Sequence, residues 1–174
     1  CMFEKFYPGE WMTSTYDIDF EKLYEDGYRG VIFDIDNTLV PHGAPADARA
    51  IALFDRLKKI GFSCCLLSNN QIGRVKSFND CVGVQFIENA HKPSTRNYKK
   101  AMELMHTDRT NTIFIGDQLF TDVYGANRTG IRTILVDPIH PKEEIQIVLK
   151  RYLEKIVLHF YKKNRPETSN FGNK

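Results

Sequence analysis

The chain has 174 residues, a formal net charge of +2, 42% hydrophobic and 26% charged residues, and a mean hydropathy of −0.39. These values describe one globular domain with enough apolar side chains for a core, and they exclude disordered and fibrous chains. No run reaches the roughly 18 consecutive apolar residues of a membrane-spanning helix, and no charged stretch followed by an apolar one suggests a cleaved secretion signal.

Residues 1–28 form an aromatic extension carrying Phe3, Phe6, Tyr7, Trp11, Tyr16, Phe20, Tyr24 and Tyr28. Phe3, Phe6 and Tyr7 fall on one face if the segment is helical. Residues 30–34 (Gly-Val-Ile-Phe-Asp) read as a buried strand. Residues 45–60 read as a helix with Pro45 near its start and Gly61 as its stop. Ser63 to Leu67 is the next strand, followed by a helix near 71–80 and a short strand at 84–87. A helix over 94–106, a strand over 112–116, a helix over 119–129 closed by Gly130, and a strand over 132–136 complete a core at 30–137. A long amphipathic helix is expected over 142–165. Residues 149–165 set Lys150, Arg151, Lys155, Lys162, Lys163 and Arg165 against Glu154, so the positive charge is concentrated at that end. Cys1, Cys64, Cys65 and Cys81 lack zinc-ligand spacing and read as reduced core thiols of a cytosolic protein.

Strands interleaved with helices predict an α/β fold: a three-layer, doubly wound, mostly parallel sheet. In such sheets ligands bind beyond the carboxyl ends of the strands. The chemistry-bearing residues sit there. Asp34 and Asp36 follow the first core strand, two carboxylates that repel each other unless a cation or proton lies between them. Ser68, Asn69 and Asn70 end the second strand, where a hydroxyl and backbone N–H groups offer an anion site, although a plain helix cap explains them as well. Lys92 stands at a helix entrance. Gly116 and Asp117 end another buried strand, and Asp122 follows on the next turn, where capping is the ordinary role of an acid. An Asp34–Asp117 pair brought together by adjacent strands is a hard oxygen set suited to Mg²⁺.

Together, Asp34-Ile35-Asp36-Asn37-Thr38, Ser68-Asn69-Asn70, Lys92 and Gly116-Asp117-Gln118-Leu119-Phe120-Thr121-Asp122 resemble the four motifs of the haloacid dehalogenase-like (HAD) superfamily of phosphotransferases. Asp36 to Ser68 and Ser68 to Lys92 leave no room for a cap domain. Tyr16-Asp17-Ile18-Asp19, Asp36-Asn37-Thr38-Leu39-Val40-Pro41 and the tract from Gly116 to Gly130 narrow the resemblance to the capless subclass IIIA, in a YqeG-like group of bacterial proteins similar to mitochondrial phosphatidylglycerophosphatase.

The resemblance implies a set of roles. Asp34 is the nucleophile that forms an aspartyl-phosphate, and Asp36 is general acid and then base. Ser68, Asn69, Asn37 and Lys92 hold the phosphoryl group. Mg²⁺ sits on Asp34, the Asp36 carbonyl and Asp117. Asp122, Thr38 and Gly116 support this set. Arg128 approaches a phosphate or lies on the surface. The reaction implied is hydrolysis of phosphatidylglycerophosphate to phosphatidylglycerol. An anionic phospholipid headgroup is then the substrate, with peripheral contact between the inner face of the membrane and the basic C-terminal helix. A soluble phosphatase for sugar phosphates, nucleotides or nucleic-acid ends is the alternative, with no obligate nucleic-acid partner. A non-catalytic binding scaffold is disfavoured by the presence of Asp34, Asp36, Lys92 and Asp117 together.

Overall fold

The structure, a computed structural model, describes residues 3–140, Leu149 and residues 152–160. The chain divides into two compact units, Cys1–His140 and Pro141–Lys174. In the second, residues 152–160 are helical. The start of the long helix expected near Lys142 and most of its basic side chains lie outside the described residues, as does Cys1.

The first unit is built on six strands: β1 (Glu10–Met12), β2 (Gly30–Phe33), β3 (Ser63–Leu67), β4 (Gln85–Ile87), β5 (Thr112–Gly116) and β6 (Arg132–Val136). They form one sheet in the order β1-β6-β5-β2-β3-β4. Every pairing is parallel, so the carboxyl ends of all six strands face the same way.

Five helices complete the unit: α1 (Phe20–Glu25), α2 (Ala48–Ile60), α3 (Ile72–Asn79), α4 (Thr95–Met105) and α5 (Tyr124–Thr129). The pleat sends alternate side chains to opposite faces. Val31 and Phe33 join Phe20, Leu53, Phe54, Leu57, Val75 and Phe78 of α1–α3 in one core cluster. Ile32, Cys65 and Phe114 join Tyr98, Ala101, Met102 and Ala126 of α4 and α5 in the other. This is the expected three-layer arrangement, with no cap among the described residues. The segments between Asp34 and Ser68 and between Ser68 and Lys92 are filled by α2 with β3 and by α3 with β4.

Local chemistry sets the ends of α2. The Asp47 side chain accepts the Ala50 N–H, so the helix begins at Ala48 rather than at Pro45. Gly61 closes it with φ +117°, a left-handed value that disfavours any residue with a Cβ.

Three expectations are revised. First, the segment of Phe3, Phe6 and Tyr7 forms no α-helix: a 3₁₀ turn (Glu4–Phe6) leads into edge strand β1. The Asn127 side chain donates to the carbonyls of Lys5 and Tyr7, and Phe6 packs on Phe120 and Tyr124. Second, the helix expected over 119–129 is two pieces. Leu119–Val123 is a π-helical turn in which the Asp122 and Val123 N–H groups both donate to the Gln118 carbonyl, and α5 follows. Third, Cys64 and Cys65 are buried, and burial pushes both thiols up to about 12, but Cys81 is exposed and is no core thiol.

Gly125 opens the first turn of α5 against α4. A Cβ there would stand 2.5 Å from the Tyr98 hydroxyl oxygen. Gly125→Ala therefore forces Tyr98 or α5 to shift. Overpacking of this kind costs about 1–3 kcal/mol, and thermal denaturation is expected to show a lowered Tm.

Candidate active site

Strands β2 and β5 are neighbours, with Phe33 paired to Ile115 and the Asp34 N–H donating to the Ile115 carbonyl. Asp34 and Asp117 thus leave the sheet side by side. Ligand oxygens of Asp34, Asp117 and Asp122 all lie within 4.8 Å of one another. The Thr38 hydroxyl stands between the first two, 2.9 Å from Asp117 Oδ1 and 3.4 Å from Asp34 Oδ2. Thr38 is itself tied to the amino-terminal segment, because the Thr15 hydroxyl donates to its carbonyl.

Lys92 enters from the start of α4. Its Nζ donates to Asp34 Oδ1 at 2.7 Å and to Asp122 Oδ1 at 2.6 Å, and its side chain is 3% exposed. Burial alone works against a charged ammonium, but the adjoining Asp122 and Asp34 carboxylates outweigh it and hold Lys92 well above the ordinary lysine value. Burial presses Asp122 upward, with the charge on Asp34 adding to it, and Lys92 opposes both. The other Asp122 oxygen accepts the Gln118 N–H at 3.2 Å. Both Asp122 oxygens are therefore engaged, which fits it for aiming Lys92 and leaves Asp34 and Asp117 to face the crevice. Gly116 lets Asp122 come this close, since a Cβ there would stand 2.5 Å from Asp122 Oδ2.

Asp36, two residues beyond Asp34, is as buried as Asp34. Its Oδ1 accepts the Gly43 N–H at 2.8 Å and two bonds from Arg74, at 3.2 Å from Nε and 2.8 Å from Nη2. Its Oδ2 accepts from the Asn70 amide. Burial pushes the Asp36 carboxyl up, but the Gly43 amide and the Arg74 guanidinium pull it down further and hold it below the usual carboxylate range. The Ser68 hydroxyl oxygen accepts from Asn70 through both its backbone and its side-chain N–H groups, each at 3.1 Å.

The remaining expected residues secure the backbone around the site. Asn69 clasps the main chain of Lys92, accepting its N–H at 2.7 Å and donating to its carbonyl at 3.3 Å. Asn37, at φ 60°, turns the chain after Asp36, and its side-chain oxygen accepts the His140 N–H at 3.2 Å. Arg128 is exposed and lies over the Tyr124 ring, 5.4 Å from its centroid, which places it on the surface.

Two contributors escaped the sequence. Arg74 looks like an ordinary first-turn helix residue until α3 brings it to Asp36. Tyr98 looks like one of several apolar residues on α4, yet its hydroxyl lies 3.1 Å from the carbonyls of both Thr121 and Asp122 and so fixes the π-helical turn. A hydroxyl among the apolar positions of α4 was the available signal.

A profile of the HAD-hydrolase-like family matches residues 89–144, the stretch that carries Lys92, Asp117 and Asp122. Over 164 residues the chain is 37% identical to the probable phosphatase YqeG of Bacillus subtilis, covering 93% of this chain and 95% of that one. The chain belongs to the HAD-family phosphatases. It is also 27% identical over 164 residues to the phosphatidylglycerophosphate phosphatase 1 of Arabidopsis thaliana, across 79% of this chain and 45% of that protein. Among solved structures, a HAD-superfamily hydrolase from Ehrlichia chaffeensis superposes with a TM-score of 0.53 at 16% identity, over 70% of this chain and 96% of that chain, which shows a shared fold. This HAD phosphatase has no helix among its described residues that is long and apolar enough to cross a membrane. Its acid set, three carboxylates within 4.8 Å beside one lysine, has the hard oxygen donors that suit Mg²⁺.

Proposed function

We propose that the protein hydrolyses the phosphomonoester of phosphatidylglycerophosphate, with Mg²⁺ as cofactor, through a phosphoryl group carried on Asp34. The observation that carries this reading is the convergence of Asp34, Lys92, Asp117 and Asp122 beyond neighbouring strands, with no cap domain among the described residues.

Asp34, the Asp36 carbonyl and Asp117 are the groups to hold Mg²⁺, which cancels charge between an anionic nucleophile and an anionic phosphate. A carboxylate oxygen of Asp34 attacks phosphorus, an Asp34–phosphorus bond forms, and the bond to the ester oxygen breaks. Asp36, which takes up a proton as substrate binds although Gly43 and Arg74 favour its carboxylate in the free protein, passes that proton to the leaving alkoxide. Water then attacks the same phosphorus, Asp36 takes its proton, phosphate leaves and the Asp34 carboxylate returns. Ser68 lies beside the phosphoryl position. Lys92, held by Asp122, balances the charge on Asp34 throughout.

The lipid assignment draws on three further features. Among the described residues no cap domain interrupts the core between Asp34 and Lys92, which suits a bulky headgroup. Trp11 on edge strand β1 and Phe120 in the turn after β5, 69% and 70% exposed, are side chains suited to a membrane–water interface. The basic residues between 149 and 165 suit an anionic lipid surface. The similarity to a plant protein named for this reaction points the same way.

The test is phosphate release from vesicles containing phosphatidylglycerophosphate, beside soluble phosphomonoesters. Release from vesicles that stops on chelation and returns with Mg²⁺ is expected. Hydrolysis of soluble esters without any release from vesicles would overturn the lipid assignment.

A further inference from the structure

Arg74 tunes Asp36 but spends few of its donors there. It lies in the first full turn of α3, its side chain is 18% exposed, and it donates from Nε and Nη2 to a single oxygen of Asp36. A guanidinium has five N–H donors in a rigid fork. Two are spent here, on one acceptor, where the fork is shaped for two parallel bonds to two oxygens. Arg74 makes no other hydrogen bond among the described residues, so three donors point away from Asp36.

Lys92 cannot serve the same purpose, since both its partners are fixed and its side chain is 3% exposed. Asp36 does not depend on Arg74 to stay in place: the Gly43 N–H and the Asn70 amide hold its two oxygens independently. Releasing Arg74 therefore leaves Asp36 oriented.

We propose that Arg74 is a specificity-determining residue that leaves Asp36 when substrate binds and pairs, fork to fork, with a second anionic group of the substrate beyond the transferred phosphoryl. The substrate class is then an ester carrying the scissile phosphomonoester and a second phosphate or carboxylate a few bonds away. This rests on the phosphatase reading above and deepens it, because a phospholipid headgroup of the proposed kind has a phosphodiester at that place.

The experiment compares two soluble substrates: p-nitrophenyl phosphate, with one anionic group, and deacylated phosphatidylglycerophosphate, with the monoester plus a diester. For Arg74→Ala, kcat/KM on the second substrate is expected to fall about 10- to 100-fold, the effect of losing a charge-assisted contact. Most of the loss is expected in KM, while p-nitrophenyl phosphate, which lacks the second anionic group, loses kcat by a smaller factor through the Asp36 carboxyl that Arg74 tunes. Arg74→Lys is expected to restore part of the loss, since it keeps the charge without the fork. An equal loss on both substrates would show Arg74 to be a support for Asp36, and no loss on either would show it idle; each overturns the inference. Neither substrate needs a bilayer, so this result stands apart from that of the vesicle assay.

Discussion

Asp34→Asn is expected to abolish phosphate release while leaving the fold intact. The amide keeps the volume of the carboxylate, and its oxygen still accepts from Lys92 in place of the bond now at 2.7 Å. Sheet pairing at the β2 end is through backbone groups that the change does not touch. What disappears is the nucleophile, and removing a nucleophile from a site whose residues act as a unit costs on the order of 10⁶-fold in kcat. Circular dichroism unchanged from the parent and an undetectable rate in a continuous phosphate assay are the expected pair. Peptide mass spectrometry of acid-quenched parent protein should place the phosphoryl group on Asp34. Retained turnover by the variant would mean that water attacks directly.

Lys92→Met is expected to damage stability as well as activity, which separates it from the first variant. Methionine fills much the same space but takes the ammonium from both Asp34 and Asp122, and Asp122, 1% exposed and the more deeply buried of the two, keeps only the Gln118 N–H on its second oxygen. Breaking a buried pair by removing one partner costs about 3–5 kcal/mol. Denaturant unfolding should read that loss directly. The double change Lys92→Met with Asp122→Asn removes the stranded charge and should recover a good part of the stability while recovering no activity. If the double variant stayed as unstable as the single one, packing of the lysine stem rather than its charge would be what the site depends on.

How far the sequence could be read follows from where its signals are local. β2, β3, β5 and β6 each present a short apolar run bounded by turn residues, so their burial is visible in one dimension. Asp34 and Asp117 were placed by the rule that parallel sheets gather chemistry at their carboxyl ends, and the observed β2–β5 pairing is the adjacency the rule requires. β1 was missed because three residues carry too little alternation to register, and its pairing with β6 depends on a segment more than 120 residues away. The break after Val123 was missed because the apolar spacing of 119–129 continues through it. The π-helical turn exists because the Tyr98 hydroxyl holds its carbonyls from another helix. Arg74 was invisible for a similar reason, since its partner lies 38 positions earlier and only the packing of α3 brings them together.

The edge strand bears on how the chain is made. Trp11 donates to Asp137, the Asp137 N–H donates to Met12, and the Gly9 N–H donates to Thr133. Thr15 and Tyr16, in the same stretch, hold the carbonyls of Thr38 and Leu39 just beyond the nucleophile. On the ribosome Trp11 and Met12 must therefore wait for β6 before they can pair, whereas Thr15, Tyr16 and Phe20 meet Thr38, Leu39, Phe33 and Phe62 much earlier. The strap that braces the site at Thr38 and Leu39 is anchored on its other side only when β6 arrives. Chaperone binding to nascent chains should accordingly persist until β6 has cleared the exit tunnel.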